Sequence, residues 1–169
     1  MRLKRAEPGA LAEVAARVDT LVKSPYLISK AGSIVFGWSG ASSGDVQALG
    51  RLATSQARIG RLKRDAAHAL MRIHSHDTVP FLAELLDSPD EEVRRLAIRG
   101  LSLFVEGAPP ITPDGAQTMV YLDARAGTRY SNEHTKRFSA SRKMPGPELA
   151  EYVEFWKTWW SSVKKDFAR

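Results

Sequence analysis

Apolar residues recur at helical intervals along most of this chain, most regularly between Asp77 and Gly107, DTVPFLAELLDSPDEEVRRLAIRGLSLFVEG. Val79, Leu82, Leu85 and Leu86 fall at i, i+3, i+6 and i+7, which is one apolar face of a helix. Asp77 or Thr78 can cap that helix, and Pro80 falls in its first turn, where the missing N–H would have had no intrahelical partner. A second helix follows, with Val93, Leu96, Ala97, Gly100, Leu101 and Phe104 at i, i+3, i+4, i+7, i+8 and i+11. Ser88-Pro89-Asp90-Glu91 gives it a cap, a proline at the first helical position and a glutamate at the capping-box position, with the acids at the positive end of the dipole. Gly107 supplies the stop. Two helices with one apolar face each and a short turn between them bury those faces by packing as a hairpin.

The pattern repeats upstream. A shift of 31 residues lays Val93, Ala97, Gly100 and Leu101 on Leu62, Ala66, Ala69 and Leu70, which predicts a helix over Arg58–His74 whose face Ile73 extends. Before it, Asp45–Ser55 carries Val46, Leu49 and Leu52 as a shorter helix capped by Ser43 or Asp45. Gly9–Val22 has Leu11, Val14, Val18, Leu21 and Val22 at helical spacing. Ser24-Pro25 opens another segment with Leu27, Ile28, Ala31, Ile34 and Val35, where Ile34-Val35-Phe36 also suits a strand but the short linkers favour a helix. Three hairpins result, about the minimum for stacked repeats to bury a continuous core. Gly37–Gly44 reads as a connector, because it lacks the Gly-Lys-Ser/Thr ending of a P-loop and has Ala41 where a nucleophile elbow needs glycine.

The Asp77–Gly107 hairpin resembles a HEAT repeat, in the bacterial form in which a proline opens helix A, paired leucines close it and Val-Arg opens helix B. Those are Pro80, Leu85-Leu86 and Val93-Arg94 here, with Ala97 and Gly100 at the small-residue positions. Many such repeats have an aspartate six residues before the arginine, bonded to it across neighbouring repeats; Ser88 stands there in this chain. The resemblance implies an all-α superhelix, a HEAT-like solenoid, with the B helices lining its concave wall.

After the hairpins the periodicity fails. Pro109, Pro110, Pro113, Gly115, Gly127, Pro145 and Gly146 punctuate an irregular strap over 108–147. It carries Arg125, Arg129, Lys136, Arg137, Arg142 and Lys143, with Tyr130 and Phe138 as anchors or as stacking surfaces. Periodicity returns in Leu149, Tyr152, Val153, Trp156, Trp160, Val163 and Phe167, widened by Phe155 and Trp159, which predicts a long amphipathic helix. Each aromatic buries roughly 150–250 Å² when covered. The helix is therefore expected to cap the open end of the solenoid; the alternative is that Tyr152, Trp156, Trp159 and Trp160 form an interface with a partner or a second copy. The domain reading is 9–107 repeats, 108–147 strap and 148–169 aromatic helix.

Composition narrows the function. A chain of 169 residues makes one ordinary domain, and with no cysteine it has neither disulfides nor thiolate metal ligands. No apolar h-region follows the basic N-terminus and no apolar run approaches the roughly 20 residues of a membrane span, so a cytoplasmic location is expected. The net charge of +6 is uneven: +7 over 1–75, −4 over 76–107 and +3 over 108–169.

Candidate chemistry is thin. His68, His74, His76 and His134 lack the i, i+4 helical pairing or cysteine partners of a zinc site, so no metal and no cofactor are expected. HEAT-like hydroxylases use His-Glu pairs within their repeats, whereas Glu133-His134 is reversed and lies outside them. What stands out is a stripe. On the second helix B, Arg61, Arg64, His68 and Arg72 share the side away from the core, and the 31-residue shift brings Arg95 and Arg99 next to Arg64 and His68. Guanidinium forks suit carboxylate and phosphate alike. The chain is therefore read as a non-catalytic protein–protein interaction scaffold whose basic concave face takes an acidic peptide. Nucleic-acid binding by the same face and the strap is the runner-up, and a HEAT-like lyase or hydroxylase a distant third.

Overall fold

Serine side chains open several of the helical segments. In the computed structural model, which describes residues 10–17, 23–38, 42–56, 59–73, 75–102 and 146–167, Ser24 accepts from the Leu27 N–H at 3.5 Å ahead of helix α2, Pro25–Phe36. Ser42 accepts from the Asp45 N–H at 3.1 Å and donates to the Asp45 carboxylate at 2.7 Å ahead of α3, Ser43–Thr54. The cap is thus Ser42 rather than Ser43 or Asp45, and Ser43 and Gly44 are the first turn of the helix rather than the end of a loop.

Helix α1 spans Ala10–Ala16 and α4 spans Gly60–Ile73. Neither Asp77 nor Thr78 caps the next helix. Ser75 accepts from the Asp77 N–H at 3.3 Å to begin a 3-10 turn, His76–Thr78, and the Thr78 hydroxyl donates back to the Ser75 carbonyl at 2.6 Å. Helix α5, Val79–Glu84, continues from that turn and tightens into a second 3-10 turn, Leu85–Asp87. At α6, Glu91–Ser102, the cap is Asp90: its carboxylate accepts from the Glu92 N–H at 3.0 Å and its carbonyl from the Arg94 N–H at 3.1 Å. Ser88 accepts from the Asp90 N–H at 3.2 Å, so Pro89 precedes the helix instead of occupying its first position. Helix α7, Gly146–Val163, ends in a 3-10 turn, Lys164–Phe167.

The segment around Ile34-Val35-Phe36 is helical, and no strand occurs among the described residues. Val18, Leu21, Val22, Arg58, His74, Phe104, Gly107 and His134 lie outside the described residues, as does 108–145 of the strap with Tyr130 and Phe138.

Helices α1, α3 and α5 form one row, and α2, α4 and α6 a second; α3 pairs with α4, and α5 with α6, as hairpins. Leu49, Leu52, Leu62, Ala66, Leu70, Leu82, Val93, Ala97 and Leu101, the residues that carried the repeat in the sequence, are all buried between the rows. Close approach of the helices needs glycine at two crossings. A Cβ on Gly50 would lie 2.3 Å from Cε1 of the Phe81 ring, and one on Gly100 would lie 2.7 Å from a Leu82 methyl. The architecture is an all-α stack of helical hairpins.

Helix α7 lies across α5 and α6, at the end of the stack. Leu149, Val153, Trp156 and Trp159 are buried there, Trp156 completely. Trp156 meets Trp159 edge-on with centroids 5.2 Å apart, and Phe167 stacks on His76 at 4.2 Å. The Lys157 ammonium holds the Asp87 carboxylate at 2.6 Å across the same junction. The last helix seals the solenoid.

Candidate B-helix interaction wall

The outer side of the second row, built by α2, α4 and α6, is where the predicted stripe falls. In α4 the core takes Leu62, Ala66, Ala69, Leu70 and Ile73, which leaves Arg61, Arg64, Asp65, His68 and Arg72 facing out. In α6 the residues in the same register are Arg95 and Arg99. The register thus sets the six predicted stripe residues at matching positions of α4 and α6.

Their circumstances differ. The Arg61 side chain is 70% exposed and reaches only to 3.9 Å from Asp65. Arg64 donates to Asp90 at 2.7 Å, across the seam between two neighbouring B helices. Its guanidinium is more basic for it, through the hydrogen bond to Asp90 and the charge of that carboxylate. For Asp90, partial burial works against ionisation, but the Arg64 hydrogen bond and charge, helped by the Glu92 and Val93 N–H groups, hold the carboxyl below its ordinary value. Arg95 is taken by Glu91 one turn before it, at 2.6 and 3.1 Å. Arg72 donates to the Phe36 and Trp38 carbonyls at 3.1 and 3.4 Å, so it closes the C-terminal end of α2.

His68 stacks on Phe36 at 4.8 Å, and the Arg72 guanidinium carbon lies 5.9 Å from the centre of the same ring. Phe36 is half exposed and Tyr26, on the same helix, more so. Arg99 is the exception: it is sunk in the wall at 8% exposure.

Asp65 is a further surprise. Its carboxylate lies against the backbone of α2 at Gly32, where a Cβ would come within 2.5 Å of Oδ2. Burial raises its pKa, with Arg61 and Arg64 pulling the other way.

The stripe is thus far less basic than a list of its arginines suggests. Five arginines (61, 64, 72, 95, 99) share the wall with Asp65, Asp90, Glu91 and Glu92. Sequence reasoning missed Phe36, Asp65 and Asp90. Asp65 stands at i+4 from Arg61 and Glu91 at i−4 from Arg95, spacings visible beforehand; the Arg64–Asp90 pair becomes visible only once the hairpins are laid side by side. It also supplies a bond between repeats in a chain with Ser88 at the aspartate position. Arg94 turns instead to the Ser88 carbonyl at 2.6 Å.

The aromatic set divides. Trp156 and Trp159 are buried in the chain's own core, because the apolar face of α7 meets the exposed end of the last hairpin; Tyr152 and Trp160 are half-buried. The surface expected for a partner on α7 is reduced by those two indoles. Among the described residues no three His, Asp or Glu side chains converge as a metal site. Nor is any described helix long and apolar enough to cross a membrane.

Stacked two-helix units in two parallel rows define an α-solenoid of repeats. Residues 39–109 match the family model for HEAT repeats, so the stretch that holds α3 to α6 is built of HEAT repeats, as the Pro80, Leu85-Leu86 and Val93-Arg94 pattern led one to expect. No curated protein and no solved structure matches the chain.

Proposed function

We propose that this HEAT-repeat protein is a non-catalytic interaction module that docks an acidic segment of another protein on its B-helix wall. Arrays of this kind work through extended surfaces built by successive repeats. The observation that carries the reading is the composition of the wall: arginines of two adjacent B helices beside a half-exposed aromatic, Phe36, which His68 and Arg72 flank. Arginine and aromatic side chains are the types enriched where proteins meet.

Nucleic acid is the weaker fit. A phosphate backbone gains affinity from a run of uncompensated cations, each releasing counterions. Here Arg64 and Arg95 already hold carboxylates, and Glu91 and Glu92 stand exposed beside them.

Titration of fluorescent peptides, one rich in glutamate and one with glutamine in its place, tests the reading against a labelled oligonucleotide. The glutamate peptide is expected to bind, and Arg61→Glu to weaken it while helical content is unchanged. Oligonucleotide binding that falls steeply with salt, with no peptide binding, would overturn the proposal.

A further inference from the structure

Resting on that reading, we infer that Arg99 is the anchor of the wall, a guanidinium held ready for the carboxylate of one Asp or Glu side chain from the docked peptide. Among the described residues its Nε has no hydrogen-bond partner, although Arg99 is more than nine-tenths buried. Every neighbouring guanidinium of the stripe except the exposed Arg61 is engaged: Arg64 by Asp90, Arg95 by Glu91, Arg72 by two carbonyls. Of the carboxylates nearby, Asp90 and Glu91 are committed to those arginines, and Asp65 lies against α2 at Gly32, its buried Oδ2 without a hydrogen-bond partner among the described residues.

A buried cation without a counterion is costly, and an unmade hydrogen bond on it adds to the cost. An incoming carboxylate relieves both at once. Its two oxygens match the planar fork of arginine in a way that a lone ammonium would not reproduce.

The surroundings say what else the ligand carries. The 31-residue register sets Arg99 of α6 at the level of His68 of α4, and His68 in turn stacks on Phe36 of α2 at 4.8 Å. One row across the three B helices therefore runs aromatic, imidazole, guanidinium. An acidic side chain at Arg99 puts the residues beside it over the His68–Phe36 stack, so an acidic residue next to an aromatic or aliphatic one fits this row. A uniform anionic polymer does not, since Asp65, Glu91 and Glu92 flank it.

The test follows the Arg99 Nε–Hε NMR signal of the full chain during addition of acetylated, amidated peptides Glu-Phe-Glu-Phe and Gln-Phe-Gln-Phe. The first is expected to move it saturably and the second to leave it in place. Arg99→Met should weaken the glutamate peptide about tenfold or more, the loss expected when one partner of a buried charge pair is removed. The same variant should melt higher than wild type, since an apolar chain of similar length replaces an uncompensated cation. Arg99→Lys, which keeps the charge and loses the fork, should bind at intermediate strength. Glutamate-peptide affinity unchanged in Arg99→Met but weakened in Arg61→Glu overturns the anchor and leaves the docking wall standing. No peptide binding by wild type overturns both, as does an Arg99 signal that moves only with an oligonucleotide.

Discussion

The two sides of the α4–α6 pair are held by different means. Toward the first row, Leu62, Ala66, Leu70, Val93, Ala97 and Leu101 interlock with almost no exposed area, and at the α5–α6 crossing a Cβ on Gly100 would press on a Leu82 methyl; within the first row Gly50 of α3 lies as close to the Phe81 ring of α5. Toward solvent, the same helices carry pairs of charges in which at least one side chain is open to water, such as Arg64 and Asp90 at 55% and 28% exposure. Close packing transmits the removal or addition of a single carbon, whereas exposed pairs gain little over their contacts with water. The inner side therefore fixes the stack, and the outer side is at liberty to change with a partner.

The sharpest way to break this comparison is at the seal. Trp156 is wholly buried between α7 and the last hairpin. Trp156→Ala should cost about 3–5 kcal/mol in urea denaturation, the range for deleting a large core aromatic. A loss near zero would mean that α7 is not part of the cooperative unit. Next comes Gly50→Ala, whose Cβ would overlap the Phe81 ring. Phe81 is only partly buried and its ring has somewhere to go, so the cost is expected at about 1–3 kcal/mol, less the gain of up to about 1 kcal/mol that alanine brings to a helix. In a Phe81→Ala background the substitution should turn neutral or stabilising, because only the helix propensity is left.

The same contrast explains what could be read from the sequence. Burial of the inner side was legible because it is written as a period: Val93, Ala97, Gly100 and Leu101 recur 31 residues earlier as Leu62, Ala66, Ala69 and Leu70, and the hairpins follow. The inward turn of Trp156 was legible for the same reason, as a wide apolar face beside a solenoid end. Caps were less so. Ser42, Ser43 and Asp45 all offer oxygens within one turn, as do Ser88 and Asp90, and local sequence does not rank them. The outer side was the least legible. Six residues of the stripe could be placed on one face by spacing, but whether an arginine there is exposed, paired or buried depends on the neighbouring helix. Arg64 and Asp90 are 26 residues apart, and the burial of Arg99 has no counterpart in the hydrophobic pattern.

The smallest expected effects lie on the wall and are read as slopes against pH, where two of its acids, one on each side of α4, should behave oppositely. Asp90 is held below its ordinary value in the folded chain, so it binds fewer protons folded than unfolded across that window. Its contribution is present above the unfolded carboxylate value, about 3.9, and fades as pH falls through the folded value. Arg64→Gln should therefore lose at most about 1 kcal/mol at neutral pH, given how exposed the pair is, and converge on wild type in acid. Asp65 is raised by burial, so it holds its proton longer folded than unfolded, and stability falls as pH climbs from the unfolded value to the folded one. Asp65→Asn should accordingly gain stability at neutral pH and lose that advantage in acid. Curves of the same sign for the two variants would mean that Arg61 and Arg64 outweigh burial at Asp65, and the carboxylate against Gly32 would then be one more salt-bridged surface acid.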